Sequence, residues 1–307
     1  MKPFCPLLLL LPATQSLATF SVPNNQLQEH ADGVLALMSY SVVPDITTSS
    51  LSIDNAQSGD PGLTMTQFGG GFTWSKSTPL YLEGTAAASR YDPTFVATDG
   101  EVSRPLPLKW NTLSATGGIG WDFPIARYLV VRPMFNLSLG HVTSDLKILD
   151  WWLDENTDVE FAGSAEGTMN ALGLGGSLML DYENYNAARE IDIEWRYTNI
   201  QLKSHGDLGS ASAHATAETT SLWARYRAPT GIEFFSRPFR YVLEGAHTTY
   251  LGSQAGVLGF NHMSSLGTGI EFDSSAYDII ITRTRLVLRY AFGQDVSGYS
   301  VGLAVSF

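Results

Sequence analysis

Large apolar side chains at every second position, in segments of about ten residues, recur along this chain and restrict what it can fold into. A repeat of two is that of a β-strand with two unlike faces. The end of the sequence, GYSVGLAVSF, shows it plainly: Tyr299, Val301, Leu303, Val305 and Phe307 alternate with Ser300, Gly302, Ala304 and Ser306. Chain ends usually fray, so a full strand running to the last aromatic is expected to be held by a neighbour. Twelve segments fit, at roughly 33–43, 63–75, 78–91, 112–123, 126–143, 167–182, 187–203, 213–228, 236–251, 262–273, 277–292 and 297–307. In RYLVVRPMFNLSLGH, Leu129, Val131, Phe135, Leu137 and Leu139 share one face. In REIDIEWRYTN, Ile191, Ile193, Trp195 and Tyr197 alternate with Glu190, Asp192, Glu194 and Arg196.

Charged residues make up 16% of the chain, below the roughly one quarter of ordinary soluble proteins. Yet no window approaches the ~18 apolar residues of a membrane helix. Low charge, 29 glycines and abundant aromatics fit the other membrane solution, an all-β, antiparallel transmembrane barrel of twelve strands. A periplasmic β-sandwich is the competing fold, since it shares alternation and turns. It would expose many lysines, which are scarce here. The net charge of −12 argues against nucleic acid as a partner, which needs a basic footprint.

The start, MKPFCPLLLLLPATQSLATF, has a basic Lys2, an apolar run at 4–11 and a small-x-small site at Ser16-Leu17-Ala18. It reads as a secretory signal peptide, residues 1–18; a buried N-terminal strand is the competing reading. The single cysteine, Cys5, lies within it, so no disulfide is expected in the mature chain. Residues 19–32 then form a short N-terminal segment and 33–307 the barrel. Connections alternate in length. Long ones lie near 44–62, 92–111, 144–166, 204–212 and 252–261, and short ones near 75–77, 123–125, 183–186 and 273–276. Outer-membrane barrels have short periplasmic turns and longer external loops. Twelve strands would put both termini on the periplasmic side, with the last strand closing against the first.

The Tyr-x-Val-x-Leu-x-Val-x-Phe ending resembles the C-terminal signal that the barrel-assembly machinery reads on outer-membrane barrels. Twelve strands behind a signal peptide resemble the translocator domains of autotransporters. Within that family the chain is similar to the solitary, passenger-free barrels, to which residues 33–53, GVLALMSYSVVPDITTSSLSI, add. The resemblance implies outer-membrane localisation, contact with outer-membrane lipid and lipopolysaccharide, and a helix in the lumen before the first strand. Only residues 19–32 precede the first expected strand, so no passenger is expected. NNQLQEHAD, residues 24–32, is open to two readings: a short lumen helix capped by Asn24 or Asn25, or a tail.

Strand parity puts Arg132, Arg196, Arg225, Arg227, Arg240, Arg283, Arg285 and Arg289 in the lumen, with Glu190, Asp192, Glu194, Glu244 and Glu271. Pairing through the loop near 208 brings Glu190 close to Arg227 and Glu194 diagonally within reach of Arg225. One reading is a self-neutralised ion-pair network filling the lumen, because ionised groups away from bulk water need partners. The other is an arginine-lined, anion-preferring channel. Five histidines, His141, His205, His214, His247 and His262, fall toward the external end, and 150–166 is acidic. They show neither H-x-x-x-H spacing nor a calcium loop, so no metal or other cofactor is expected. An outer-membrane hydrolase needs serine and histidine on one face. His247 has the lipid-facing parity of Tyr241 and Leu243, whereas Ser221 and Ser265 point inward. The expectation is therefore a monomeric, non-enzymatic barrel.

Overall fold

A computed structural model describes residues 24–43, 49–54, 63–91, 94–98, 103–107, 110–144, 168–205, 213–234, 237–273, 283–294 and 297–306. One helix, α1 (Asn24–Val42), precedes the strands β1 (Ser49–Asp54), β2 (Leu63–Thr73), β3 (Leu80–Tyr91), β4 (Thr94–Thr98), β5 (Ser103–Pro107), β6 (Trp110–Trp121), β7 (Phe123–Ala126) and β8 (Leu129–Ser144). The remainder are β9 (Thr168–Tyr185), β10 (Glu190–His205), β11 (His214–Phe234), β12 (Arg237–Tyr250), β13 (His262–Asp273), β14 (Arg283–Gly293) and β15 (Ser297–Ser306). Among the described residues β4 and β5 pair only with each other, and β7 continues the line of β6 beside β8. The other twelve strands pair antiparallel in chain order, and β15 returns to β1, from Ser50 opposite Val301 to Asp54 opposite Ser297. The sheet is therefore closed and has no free edge.

Strand parity separates two environments. Outward positions are apolar and exposed: Phe68, Leu139, Leu266, Leu288 and Tyr299 are 58–76% accessible. No helix among the described residues is long and apolar enough to cross a membrane. The strands do so instead, because closure satisfies every backbone group within the wall. Tyr290 packs on Tyr299 (5.2 Å between rings) and Phe292 (6.0 Å) near one rim, and Tyr226 on Tyr241 (5.9 Å) near the other. These pairs match the interfacial aromatic girdles of such barrels. Tyr299 and Val301 face outward, Leu303 and Val305 continue the same register opposite Leu286 and Thr284, and Phe307 lies outside the described residues.

Eleven of the twelve expected segments coincide with barrel strands. The first does not. Residues 33–42 are helical, as part of α1, and the first strand is Ser49–Asp54, inside an expected long loop. The barrel thus begins at 49 rather than 33. The physical reason is that this segment lies inside the lumen, where a lone strand would leave its amide and carbonyl groups unpaired. A helix pairs them internally. The direction of α1 corrects a second expectation. Asp32 Oδ1 accepts the His214 backbone N–H (3.0 Å) at the long-loop end, so α1 runs inward from the external mouth. The start of the described chain is external, not periplasmic.

The β11–β12 hairpin carries a register shift between Pro229 and Glu233. Gly231 takes φ 77° there, in the left-handed region that favours glycine. Leu288 is midway along β14 and faces lipid. Leu288→Arg is expected to lower barrel stability by about 2–4 kcal/mol, and Leu288→Ala by much less, as read from urea titrations of folding into lipid vesicles.

Candidate functional site

The lumen is the candidate site, and it has two storeys. A twelve-stranded barrel is wider than the roughly eight-stranded size that wall side chains alone can fill. The external storey is occupied by α1. Leu35, Met38 and Val42 are fully buried at helical spacing. They pack against Trp110, Val142, Met169, Ile200, Leu202 and the alanines of early β11. Gly140 makes room for this packing: a Cβ there would collide with the Met38 sulfur. Tyr40 donates from its hydroxyl to the Gln254 carbonyl (2.6 Å) and packs on Tyr250 and Phe260 (4.8 and 6.0 Å). Residues 251–261 thus fold inward over the helix.

The last turn of α1 ends at mid-depth, where its carbonyls have no partners within the helix. The wall supplies them. Ser114 Oγ donates to the Ser41 carbonyl (3.1 Å), Thr116 Oγ1 to that of Val42 (2.7 Å), and Gln67 Nε2 to that of Val43 (2.9 Å). Below this lies a polar belt in which Asn136, Ser177 and Thr198 are hydrogen-bonded in series.

The periplasmic storey is ionic. Arg196 on β10 reaches across to Glu83 on β3 with two contacts, 2.6 and 2.9 Å, and Asn136 Nδ2 donates to the same carboxylate (2.9 Å). β3 and β10 are four steps apart around the ring, so this pair spans the lumen as a chord. Arg132 pairs with Asp122 and with Asp181 (3.1 Å), and its guanidinium lies 3.8 Å from the Tyr81 ring centroid. On β10–β14, Arg227 contacts Glu190 (2.9 Å), Asp192 (3.1 Å) and Glu271 (3.0 Å). Arg225 pairs with Asp192 (2.6 Å), Arg285 with Glu271 (3.1 Å) and Arg289 with Glu244 (2.7 Å). Arg283 pairs with Glu190 (2.7 Å), and Arg240 also pairs with Glu190.

Parity thus places all eight arginines and Glu190, Asp192, Glu194, Glu244 and Glu271 on the lumen side. The structure gathers Arg225, Arg227, Arg240, Arg283, Arg285 and Arg289 with Glu190, Asp192, Glu244 and Glu271, while Arg132 and Arg196 take Asp122, Asp181 and Glu83. Glu194 is buried opposite Trp223, within electrostatic reach of Arg196 and Arg132. Its expected partner Arg225 turns to Asp192 instead. Glu83, Asp122 and Asp181 were not read as lumen partners from the sequence. Glu83 carried a usable signal, as the one charge between Lys76 and Arg90 and on the inward parity of Tyr81. Asp122 falls between β6 and β7, where alternation gives no parity.

On the outer wall, His247 Nδ1 lies 2.8 Å from Ser264 Oγ, a serine that parity alone did not single out. Flanking backbone groups are engaged in the β12–β13 ladder, so they do not converge as donors for an oxyanion. Among the described residues no three histidine, cysteine, aspartate or glutamate side chains group as metal ligands. The acidic stretch 150–166 lies outside the described residues.

Solved translocator barrels align with this chain over most of its length. The transport unit of the autotransporter AIDA-I from Escherichia coli aligns at TM-score 0.49 and 14% identity, over 90% of this chain and 99% of that one. The NalP translocator domain from Neisseria meningitidis aligns at 0.48 and 11%, over 92% and 97%. The β domain of the Bordetella autotransporter BrkA aligns at 0.47 and 14%, over 85% and 97%. No family profile and no curated protein sequence matches the chain.

Arg227, 4% exposed, holds three carboxylates. Arg227→Ala leaves them without their shared cation and is expected to cost about 3–5 kcal/mol. Arg283, 31% exposed, should cost well under half of that. Urea unfolding of both variants in detergent micelles checks the ratio.

Proposed function

We propose that this chain is an outer-membrane barrel with a sealed lumen, acting as a non-enzymatic structural or surface protein. The observation that carries the reading is the double filling of the lumen. α1 occupies the external storey with its carbonyls capped by the wall, and the guanidinium–carboxylate network occupies the periplasmic one. The alternating face of β15, from Tyr299 to Val305, supports recognition by the assembly machinery, and closure of the wall supports a monomer.

A second reading is an anion-preferring channel. It draws on the β10–β14 cluster, where Arg225, Arg227, Arg240, Arg283, Arg285 and Arg289 face only Glu190, Asp192, Glu244 and Glu271 among the paired residues described. Conductance in a planar bilayer separates the two. The sealed barrel is expected to be silent, and Gly140→Val, which pushes against Met38, is expected to give current steps absent from the parent only when Arg196→Ala also removes the chord to Glu83 across the periplasmic storey. Steady conductance by the intact barrel, with anions preferred over cations, would establish the channel and end the sealed reading.

A further inference from the structure

Two pieces of chain fill the external storey, and they are held unequally. α1 leans on one wall: Leu35, Met38 and Val42 pack on β6 and β8–β11. It is fixed near its top through Asp32 and at its foot by Gln67, Ser114 and Thr116. On the other side of the helix, residues 251–261 fill the space toward β2, β3 and β14. Phe260 clusters there with Tyr40 of α1, Ala291 on β14, and Met65, Tyr91 and Tyr250. The wall adds little volume of its own at this level. Ser265, Ala291 and Gly298 lie side by side across β13, β14 and β15 on the inward parity. These small residues leave the filling to Phe260.

The attachment of 251–261 is light. The stretch carries no charge, and of its residues Gln254 and Phe260 are buried while Leu251 and Val257 stand exposed. Its two legs are tied at the rim. The Leu251 and Ser253 backbone N–H groups donate to the Glu218 and Thr216 carbonyls (2.9 and 2.8 Å). The Asn261 N–H donates to Gln294 Oε1 (3.2 Å). Between the legs the chain turns on itself: Val257 N–H donates to the Gln254 carbonyl (3.3 Å) and Gly259 N–H to that of Gly256 (3.0 Å). Gly256 and Gly259 take φ 76° and 81°, left-handed values that a larger residue adopts only with strain.

Docking also leaves one group unsatisfied. The Gln254 carbonyl receives the Tyr40 hydroxyl, but Gln254 Oε1 is buried without a hydrogen-bond partner. Leaving a buried acceptor unpaired offsets part of what burial of Phe260 contributes. Segments with few buried contacts open at lower free energy than the elements around them. Here the contrast lies within one storey, between a helix fixed at both ends and a loop seated on two side chains.

We propose that residues 251–261 are a hinged lid, and that its opening uncovers a vestibule between α1 and β13–β15 while the helix stays in place. The rim-tied legs act as the hinge, and Phe260 and Gln254 as the seat. The vestibule is blind. Arg289, two residues below Ala291 on β14, pairs with Glu244, so the ionic storey forms its floor. This inference rests on the sealed-barrel reading above, and gives that seal a movable external part.

Thiol labelling of the full chain, with Cys5→Ser as background and a membrane-impermeant maleimide as probe, tests it. Ala291→Cys places a reporter under the lid, and Ala215→Cys places one behind α1, where both alanines are at most 4% exposed. Gly256→Val with Gly259→Val strains the docked lid, and Phe260→Ala removes its seat. Each is expected to raise the labelling rate of the Ala291→Cys thiol at least tenfold and to leave that of the Ala215→Cys thiol within twofold. All variants are compared as folded barrels, identified by resistance to unfolding in cold detergent. An unchanged rate at the Ala291→Cys thiol in both lid variants overturns the proposal. An equal rise at both reporters assigns the opening to the helix or to the whole barrel, and overturns it as well. If the Ala291→Cys thiol of the otherwise unaltered chain reacts as fast as a Val257→Cys thiol at the exposed loop tip, the sealed-barrel reading itself fails, and the lid with it.

Discussion

Closure of β15 onto β1 is the constraint on which the rest of the molecule depends. In hydrocarbon a strand edge leaves unpaired amide and carbonyl groups with no water to satisfy them. The five residue pairs from Ser50–Val301 to Asp54–Ser297 remove that edge. They also set the width of the ring. Twelve strands enclose more space than side chains rooted in the wall can fill, so whatever lies inside must be long or must be brought in. The molecule uses both means. Arginine side chains extend from the wall in the periplasmic half, and a helix is inserted in the external half.

The two fillings obey different chemistry because each must be satisfied differently. The helix carries no charge from Gly33 to Val43. It uses up its own backbone groups, so only its last carbonyls need wall donors, and Gln67, Ser114 and Thr116 stand at that depth. The guanidinium groups need carboxylates, and several arginines share each acid. Glu190 alone receives Arg227, Arg240 and Arg283. Such sharing ties β10 through β14 together across register lines, and the Arg196–Glu83 chord ties that wall to β3. Removing one member of this network leaves several others unpaired, whereas an exposed rim charge can be lost with little effect.

Legibility followed the range of the physics involved. Which way a strand residue points depends only on its neighbours in sequence, so the inward positions of Arg225, Arg227, Arg285 and Glu271 were readable from alternation. Adjacent pairing, such as Glu190 with Arg227, followed from a hairpin. Contacts across the lumen, such as Arg196 with Glu83, were not readable, because no local pattern reports which walls face each other. Residues 33–43 were misread for a related reason. In GVLALMSYSVV, Val34, Ala36, Met38, Tyr40 and Val42 alternate, while Leu35, Met38 and Val42 keep helical spacing. A segment buried on all sides fits both periods.

Sequence alone determined that this chain makes a lipid-facing sheet, with eleven of its twelve strands legible and charge turned inward, since period-two alternation is a local property that hydrocarbon and water enforce on each strand separately. Only the tertiary structure decided that the first barrel strand is Ser49–Asp54, that α1 enters from the external mouth, and which carboxylate each arginine takes. These outcomes depend on closure, which brings together residues far apart in sequence and sets the space that remains between them.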